Sequence, residues 1–337
     1  MDEAENLCDR LVVMDGGPAD HPPSTTATTA PITTTTTAAA PGAASQPAGY
    51  GFSGSSWPGR PGGGAVPESD MPRPATGRAV GPVRAALIVV EGMWTWYRRN
   101  WRATVVSSVV QPVLFLLALG FGLGSQVRPA EATGGLSYVV YLAPALLVAT
   151  SVQIAAFEST YPILSAFKWQ QTYLGIAASP ITPAQILGGH LLWVALRLGV
   201  SGAAYLLVAA ALGTLTSPGV ILSLLVSVLA GLAFSAPVAA YSATLQTEGQ
   251  QFSALFRFVV MPMTLFAGTF FPVDQLPVWV RPVAWLTPLW HGTELSRGAA
   301  FGGLSPLAAA GHLAFLLTLL GVGVWFGARS FTRRLAA

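Results

Sequence analysis

Apolar positions dominate this chain from residue 103 to residue 328, and short polar stretches divide them into runs of nearly constant length. A lipid core of roughly 30 Å takes about 20 helical residues at about 1.5 Å each. Six runs meet that requirement: about Ala103 to Leu123, Leu136 to Phe157, Ile186 to Leu212, Val220 to Ala243, Phe252 to Phe271 and Leu307 to Ala328. The pattern predicts an all-α membrane protein with six transmembrane helices and no internal repeat or soluble domain between them.

Two stretches depart from it. Ahead of the first run, Leu87, Val90, Trp94 and Tyr97 recur at helical spacing and lead into Arg98, Arg99 and Arg102, which predicts an amphipathic N-terminal interfacial helix. After the fifth run, Phe270-Phe271-Pro272 ends the apolar sequence, Leu276-Pro277 and Arg281-Pro282 interrupt the backbone, and Trp279, Trp285 and Trp290 follow every five or six residues. Indole rings favour the headgroup level and prolines restart short helices, so two short interfacial helices in the outer leaflet are expected between spans five and six.

Composition sharpens this picture. With 52% hydrophobic and 9% charged residues, the chain lies far from the roughly one-quarter charged content of soluble proteins. Residues 18–82 are rich in Thr, Ala, Pro, Gly and Ser, with too few apolar side chains to offset ordering entropy, and are expected to be a disordered low-complexity linker. Residues 83–337 form the transmembrane domain. The acidic stretch 1–17 lacks the long apolar core of a cleavable signal peptide.

The net charge of +3 rests on arginines, with Lys168 the sole lysine, so nucleic-acid binding finds no basic face to support it. Arginines cluster before the first run and after the sixth, at Arg329, Arg333 and Arg334, which places both termini in the cytoplasm. The outer loops carry Arg128, Arg281 and Arg297, each near an acid: Glu131, Asp274 and Glu294. Cys8 is the single cysteine, and His21, His190, His291 and His312 are too dispersed for metal-ligand spacing, so no metal is assigned. The Gly120–Gly124 run follows a membrane span rather than a strand, and reads as close packing or a membrane exit rather than a nucleotide loop.

Pro288-Leu289-Trp290-His291, then five residues and Arg297, resembles the C-terminal signature of ABC-2 type transporter permeases, the group of nodulation lipo-oligosaccharide exporters and daunorubicin-exporter permeases. The segment Phe270 to Pro277, about ten residues earlier, strengthens the likeness, which covers roughly Ala85 to Arg334. The resemblance implies the permease of an ATP-driven exporter at the cell membrane. Its cargo would be a lipid-like, glycolipid or amphipathic drug substrate, its partners a separate ABC ATPase holding ATP and magnesium and a second permease in a homo- or heterodimer, all within membrane lipid.

Residues 1–17, MDEAENLCDRLVVMDGG, resemble an ABC ATPase just after its switch histidine, as a remnant of a fused gene or as a start placed inside an upstream frame. No phosphate loop or signature motif accompanies them, so no ATP hydrolysis is expected from this chain.

Between spans two and three, Phe167, Lys168, Trp169, Gln170, Tyr173 and Leu174 predict a short helix exposing aromatic side chains on the cytoplasmic face. Its place matches the ATPase-coupling helix that the resemblance to ABC-2 permeases implies, with membrane-surface anchoring as the alternative. In the third span, Arg197 is too costly to face lipid, at about 2.5 to 3.5 kcal/mol even on the lenient scale, and His190 shares its face. The two are expected to line a translocation path or to pair helices, with Glu158 or Glu248 as the available carboxylate. The rival class is a polytopic transferase acting on lipid-linked substrates, for which Glu294 beside His291 is the one weak acid–base candidate. An ion-driven transporter finds no acids in the span centres.

Overall fold

In the computed structural model the described residues are 80–118, 122, 135–214 and 217–336. Expectations for the ATPase-like stretch 1–17, for nearly all of the linker 18–82, for most of the Gly120–Gly124 run and for Arg128 and Glu131 fall outside them. The described residues fold into helices joined by short turns, without a strand. Four segments among them are long and apolar enough to cross a membrane: Tyr138–Lys168, Pro183–Ala211, Val220–Ser242 and Pro306–Ala336.

The first helix, α1 (Pro82–Leu117), runs unbroken for 36 residues, about 54 Å. The sequence predicts an interfacial helix and then a span; the backbone shows one helix, because neither a glycine nor a proline stands between Met93 and Gln111 to end it. Its first half lies alongside α5 (Pro183–Ala211), whose start is fixed by Pro183 and by a reciprocal capping box between Thr182 and Gln185. Contact there is close enough to need a glycine, since a Cβ at Gly189 would fall 2.5 Å from that of Val89.

The second expected span is α2 (Tyr138–Glu158), followed by two short helices, α3 (Tyr161–Lys168) and α4 (Thr172–Ala177). Helix α6 (Val220–Ser242) is the hub against which α2, α5 and the last two helices pack. Its buried face is Ala230, Gly231, Ala233, Ser235, Ala236 and Ala239, small residues that let backbones approach where no water-driven force gathers helices. Hydroxyls buried there find protein partners, as lipid requires: Ser242 donates to the Ser159 carbonyl at 2.6 Å, and Ser223 to that of Ser296 at 2.9 Å.

The fifth span departs furthest from the expected Phe252–Phe271. It is the composite helix α7, made of Gln250–Leu255, a π-helical turn Phe256–Val260 and Met261–Phe266, about 25 Å in all. Pro262 cannot donate to the turn before it, and the wide π turn accommodates that loss. Gly268, at φ 82°, then turns the chain.

A 3₁₀ turn at Val273–Gln275 and the short α8 (Arg281–Trp285) occupy the predicted interfacial stretch. The next helix, α9 (Pro288–Phe301), packs on α2, α6 and the final helix α10 (Pro306–Ala336), and a Cβ at Gly292 would lie 2.7 Å from both Val148 and Ala230. The end of the bundle where α2, α6 and α10 finish and α5 begins carries Arg329, Arg333 and Arg334 and is called the basic end below.

Candidate functional site

The basic end is organised by the loop helices α3 and α4. Phe167 and Tyr173 are buried, in contrast to the exposed aromatics that the sequence predicts. They meet each other edge to face at 5.0 Å and close on Phe331 near the end of α10, while the Arg334 guanidinium lies 4.7 Å above the Phe167 ring. Apolar rings on a short amphipathic helix have two surfaces to choose from, and here the far end of α10 supplies the drier one. Lys168 is half-buried and pairs with Glu248, the carboxylate that the sequence left available to Arg197. Trp169 at 50% exposure, Gln170 and Leu174 at 42% remain at the surface, next to Gln171 in a left-handed turn at φ 52°.

Behind this loop lies a polar cluster built on one stripe of α5. His190, Trp193 and Arg197 stand at i, i+3 and i+7 and share one face. Arg197 forms an ion pair with Glu158 through Oε1, and the Trp193 indole donates to Oε2 of the same carboxylate at 3.3 Å. The Tyr173 hydroxyl sits 2.8 Å from His190 Nδ1, and burial, with the Glu158 charge as a lesser cause, pushes that phenol above its ordinary range. The hydroxyl therefore keeps its proton and donates to Nδ1. His190 carries its own hydrogen on Nε2, which donates to the Glu158 carbonyl at 3.1 Å.

His190 and Arg197, expected to share a seam, are thus joined through Glu158, its carbonyl to one and its carboxylate to the other. Tyr97 completes the cluster, its ring 5.1 Å from the Arg197 guanidinium and 5.4 Å from Trp193. The sequence pattern puts Tyr97 on an interfacial helix and gives Trp193 no role. Its position between His190 and Arg197 on one helical face is the signal that could have found it.

The cluster borders a cavity of about 960 Å³ between α1, α3, α4 and α5. Val89, Met93, Ala166, Ile176 and Trp193 form mainly apolar walls, and Glu158 and Arg197 stand at its edge.

At the opposite end of the bundle, the signature residues hold α9 in place. Pro288 opens the helix, Leu289 is fully buried, and His291 and Arg297 are buried rather than solvated. His291 Nε2 donates to the Trp285 carbonyl at 2.9 Å, so its Nδ1 accepts from His312 Nδ1 at 2.8 Å on α10. Arg297 donates to the Thr269 carbonyl at 3.1 Å and lies 3.9 Å over the Tyr141 ring of α2.

Glu294 turns to Arg297, at 3.8 Å, and not to His291, so the acid–base couple suggested by the sequence is not assembled. Arg281 bonds the Asp274 backbone carbonyl rather than its carboxylate. Trp279 and Trp285 are exposed as interfacial anchors would be, whereas Trp290 packs inward against His291 and His312.

Comparison with known proteins bears on both ends. A family model described as ABC-2 type transporter matches residues 84–301. The chain is similar to Nodulation protein J of Sinorhizobium fredii, with 33% identity over 228 residues that cover 64% of this chain and 85% of that protein. Nodulation protein J of Rhizobium meliloti is 29% identical over 253 residues, 72% of this chain and 94% of that protein. The protein of the same name from Rhizobium leguminosarum bv. viciae is 30% identical over 213 residues, 61% and 81% of the respective lengths.

Proposed function

Because the chain belongs to the ABC-2 type transporter family, we propose that it is the permease subunit of an ATP-driven exporter whose ATPase subunits dock at the basic end. It is a multi-pass membrane protein and a transporter permease. The positive-inside rule puts the basic end, and with it both termini, in the cytoplasm. ATP and magnesium belong to the docked ATPase, and a second permease, identical or homologous, completes the passage. The cargo is a lipid-like, glycolipid or amphipathic drug molecule moved outward from the cytoplasm or inner leaflet.

The observation that supports this reading is the build of the α3–α4 loop. Its base is packed on α10 through Phe167 and Tyr173 and tied to α5 through His190, while its tip offers Trp169, Gln170 and Leu174. A push at the tip is therefore transmitted to two spanning helices. Exposed aromatic and aliphatic anchors of this kind dominate binding energy at interfaces.

The test is Trp169→Ala with Leu174→Ala, expressed with the partner ATPase. Co-purification of the two subunits and ATP-dependent export are each expected to fall at least tenfold, while Val278→Ala, exposed at the other end, changes neither. Phe167 is unsuitable for this purpose, since truncating a buried Phe costs about 3–5 kcal/mol and confuses docking with folding. Wild-type docking and export in the tip variant would refute the coupling role.

A further inference from the structure

We propose that Thr269, Thr293 and Arg297 form a binding site for a single halide ion such as chloride, where α9 meets the turn after α7. Among the described residues, the buried side-chain atoms left without a hydrogen-bond partner are Thr269 Oγ1, Thr293 Oγ1 and Arg297 Nε. They belong to one contact. Arg297 Nη2 donates to the Thr269 carbonyl at 3.1 Å, and Thr293 stands one turn before Arg297 on the same face of α9. Unmet polar groups are costly to bury, and Thr293 passes over the usual remedy. Thr95, Thr264 and Thr332 each donate to the carbonyl four residues earlier, at 2.9, 2.8 and 2.8 Å, whereas the Thr293 hydroxyl does not bond that of Leu289.

The chemistry of the three groups selects the occupant. Nε–H only donates, and each threonine hydroxyl can donate beside it, so the occupant must accept up to three hydrogen bonds. A water molecule accepts two and brings no charge. Charge is what Arg297 lacks: Glu294 stays 3.8 Å from Nη1 and is 34% exposed, where solvent screens it, and the Tyr141 ring offers a quadrupole in place of an anion. A buried guanidinium answered so weakly favours a counter-ion over a neutral molecule. Both threonines are fully buried, which favours one spherical ion over phosphate or sulfate. The ion bridges α9 to the turn after α7, so the seating of α9 on α2 and α6 follows the anion. The site does not depend on the exporter reading.

The experiment uses the full chain in nanodiscs, with its thermal midpoint followed by tryptophan fluorescence in sodium chloride, sodium bromide or sodium gluconate at equal ionic strength. The wild-type midpoint is expected to be higher in either halide by about 3 °C or more, because an ion held by the folded state alone stabilises it. Thr269→Val and Thr293→Val keep the side-chain shape and remove the hydroxyl. In gluconate each is expected to match or exceed wild type, since an orphaned hydroxyl is gone; in chloride each falls below it, with the halide response at least halved. Thr264→Val, whose hydroxyl is spent on its own helix, keeps the full halide response. Crystals grown in bromide are expected to show an anomalous peak beside Arg297 Nε.

A wild-type midpoint equal in halide and gluconate, or bromide crystals without a peak at Arg297, would overturn the site. Losses in the two valine variants that are equal in all three salts would give the place to a water molecule and overturn the anion. A halide response that both variants retain in full would assign it to surface ions and overturn the proposal as well.

Discussion

Each end of the helix bundle buries an arginine, and the two are held by different physics. At the basic end, Arg197 faces Glu158 in an ion pair whose members are 11% and 14% exposed, and both residues line a cavity. At the opposite end, Arg297 has only Glu294 at 3.8 Å and relies on the Tyr141 ring and the Thr269 carbonyl, with its Nε buried and unpartnered. The first arrangement neutralises charge with charge. The second wedges a cation between α9, α2 and the turn after α7, as a structural peg does. A buried arginine is therefore not by itself a mark of function; what distinguishes the two is the open space beside one of them.

The largest effect expected from breaking this comparison is at the basic end. Glu158→Gln leaves Arg197 buried without a counter-charge, and breaking such a pair costs about 3–5 kcal/mol. Replacing both Glu158 and Arg197 with Met recovers most of that loss, because no orphan charge remains. Equilibrium unfolding in nanodiscs measures both, and a Glu158→Gln variant as stable as wild type would show that the pair does not carry the cluster.

A smaller effect is expected at the other end. Tyr141→Leu removes the ring beneath Arg297 and costs about 1–2 kcal/mol, while Tyr141→Phe keeps the π face and stays within about 0.5 kcal/mol of wild type. Equal losses in the two variants would place the contribution in the hydroxyl instead of the ring face.

A further expected effect is a pH dependence to which the α9 end contributes. Burial holds the His291 imidazole down to about 4 from its ordinary 6.5, with the neighbouring His312 acting in the same direction. The unfolded chain therefore takes up a proton before the folded one does. Stability from this group is constant above about pH 6.5, falls as the pH drops towards 4, and levels off below that. His291→Gln is expected to lessen the fall of the thermal midpoint between pH 6.5 and 4, and an unchanged slope would assign the acid sensitivity elsewhere.

Much of the fold was legible in the linear pattern because lipid imposes a length on every apolar run. The runs at Leu136, Ile186, Val220 and Leu307 correspond to α2, α5, α6 and α10 within a few residues at nearly every boundary. The exception is the far end of α10, which continues past the apolar stretch to Ala336 because Phe331 and Arg334 find partners in the α3–α4 loop and after α6. Helix α7 was misjudged because Pro262 and Gly268 act on the backbone, and a hydropathy profile does not register them.

The candidate site was legible in part. Charge at membrane depth singled out Arg197, but Glu158 and Glu248 were equivalent in sequence, and only the packing of α2 against α5 chose between them. Phe167, Trp169 and Tyr173 look alike along the chain. Their division into two buried rings and one exposed ring depends on α10 arriving from more than 150 residues away.

Sequence alone established a helical membrane protein, the positions of its principal spans and the family signature near its end, because apolar length, proline and arginine placement are local quantities that a bilayer reads directly. Tertiary structure decided what a local quantity cannot hold. It settled which carboxylate answers Arg197, that α9 packs against α2, α6 and α10, and that α1 and the α3–α4 loop line a common cavity. Each of these depends on the distance between residues far apart in the chain, which packing alone determines.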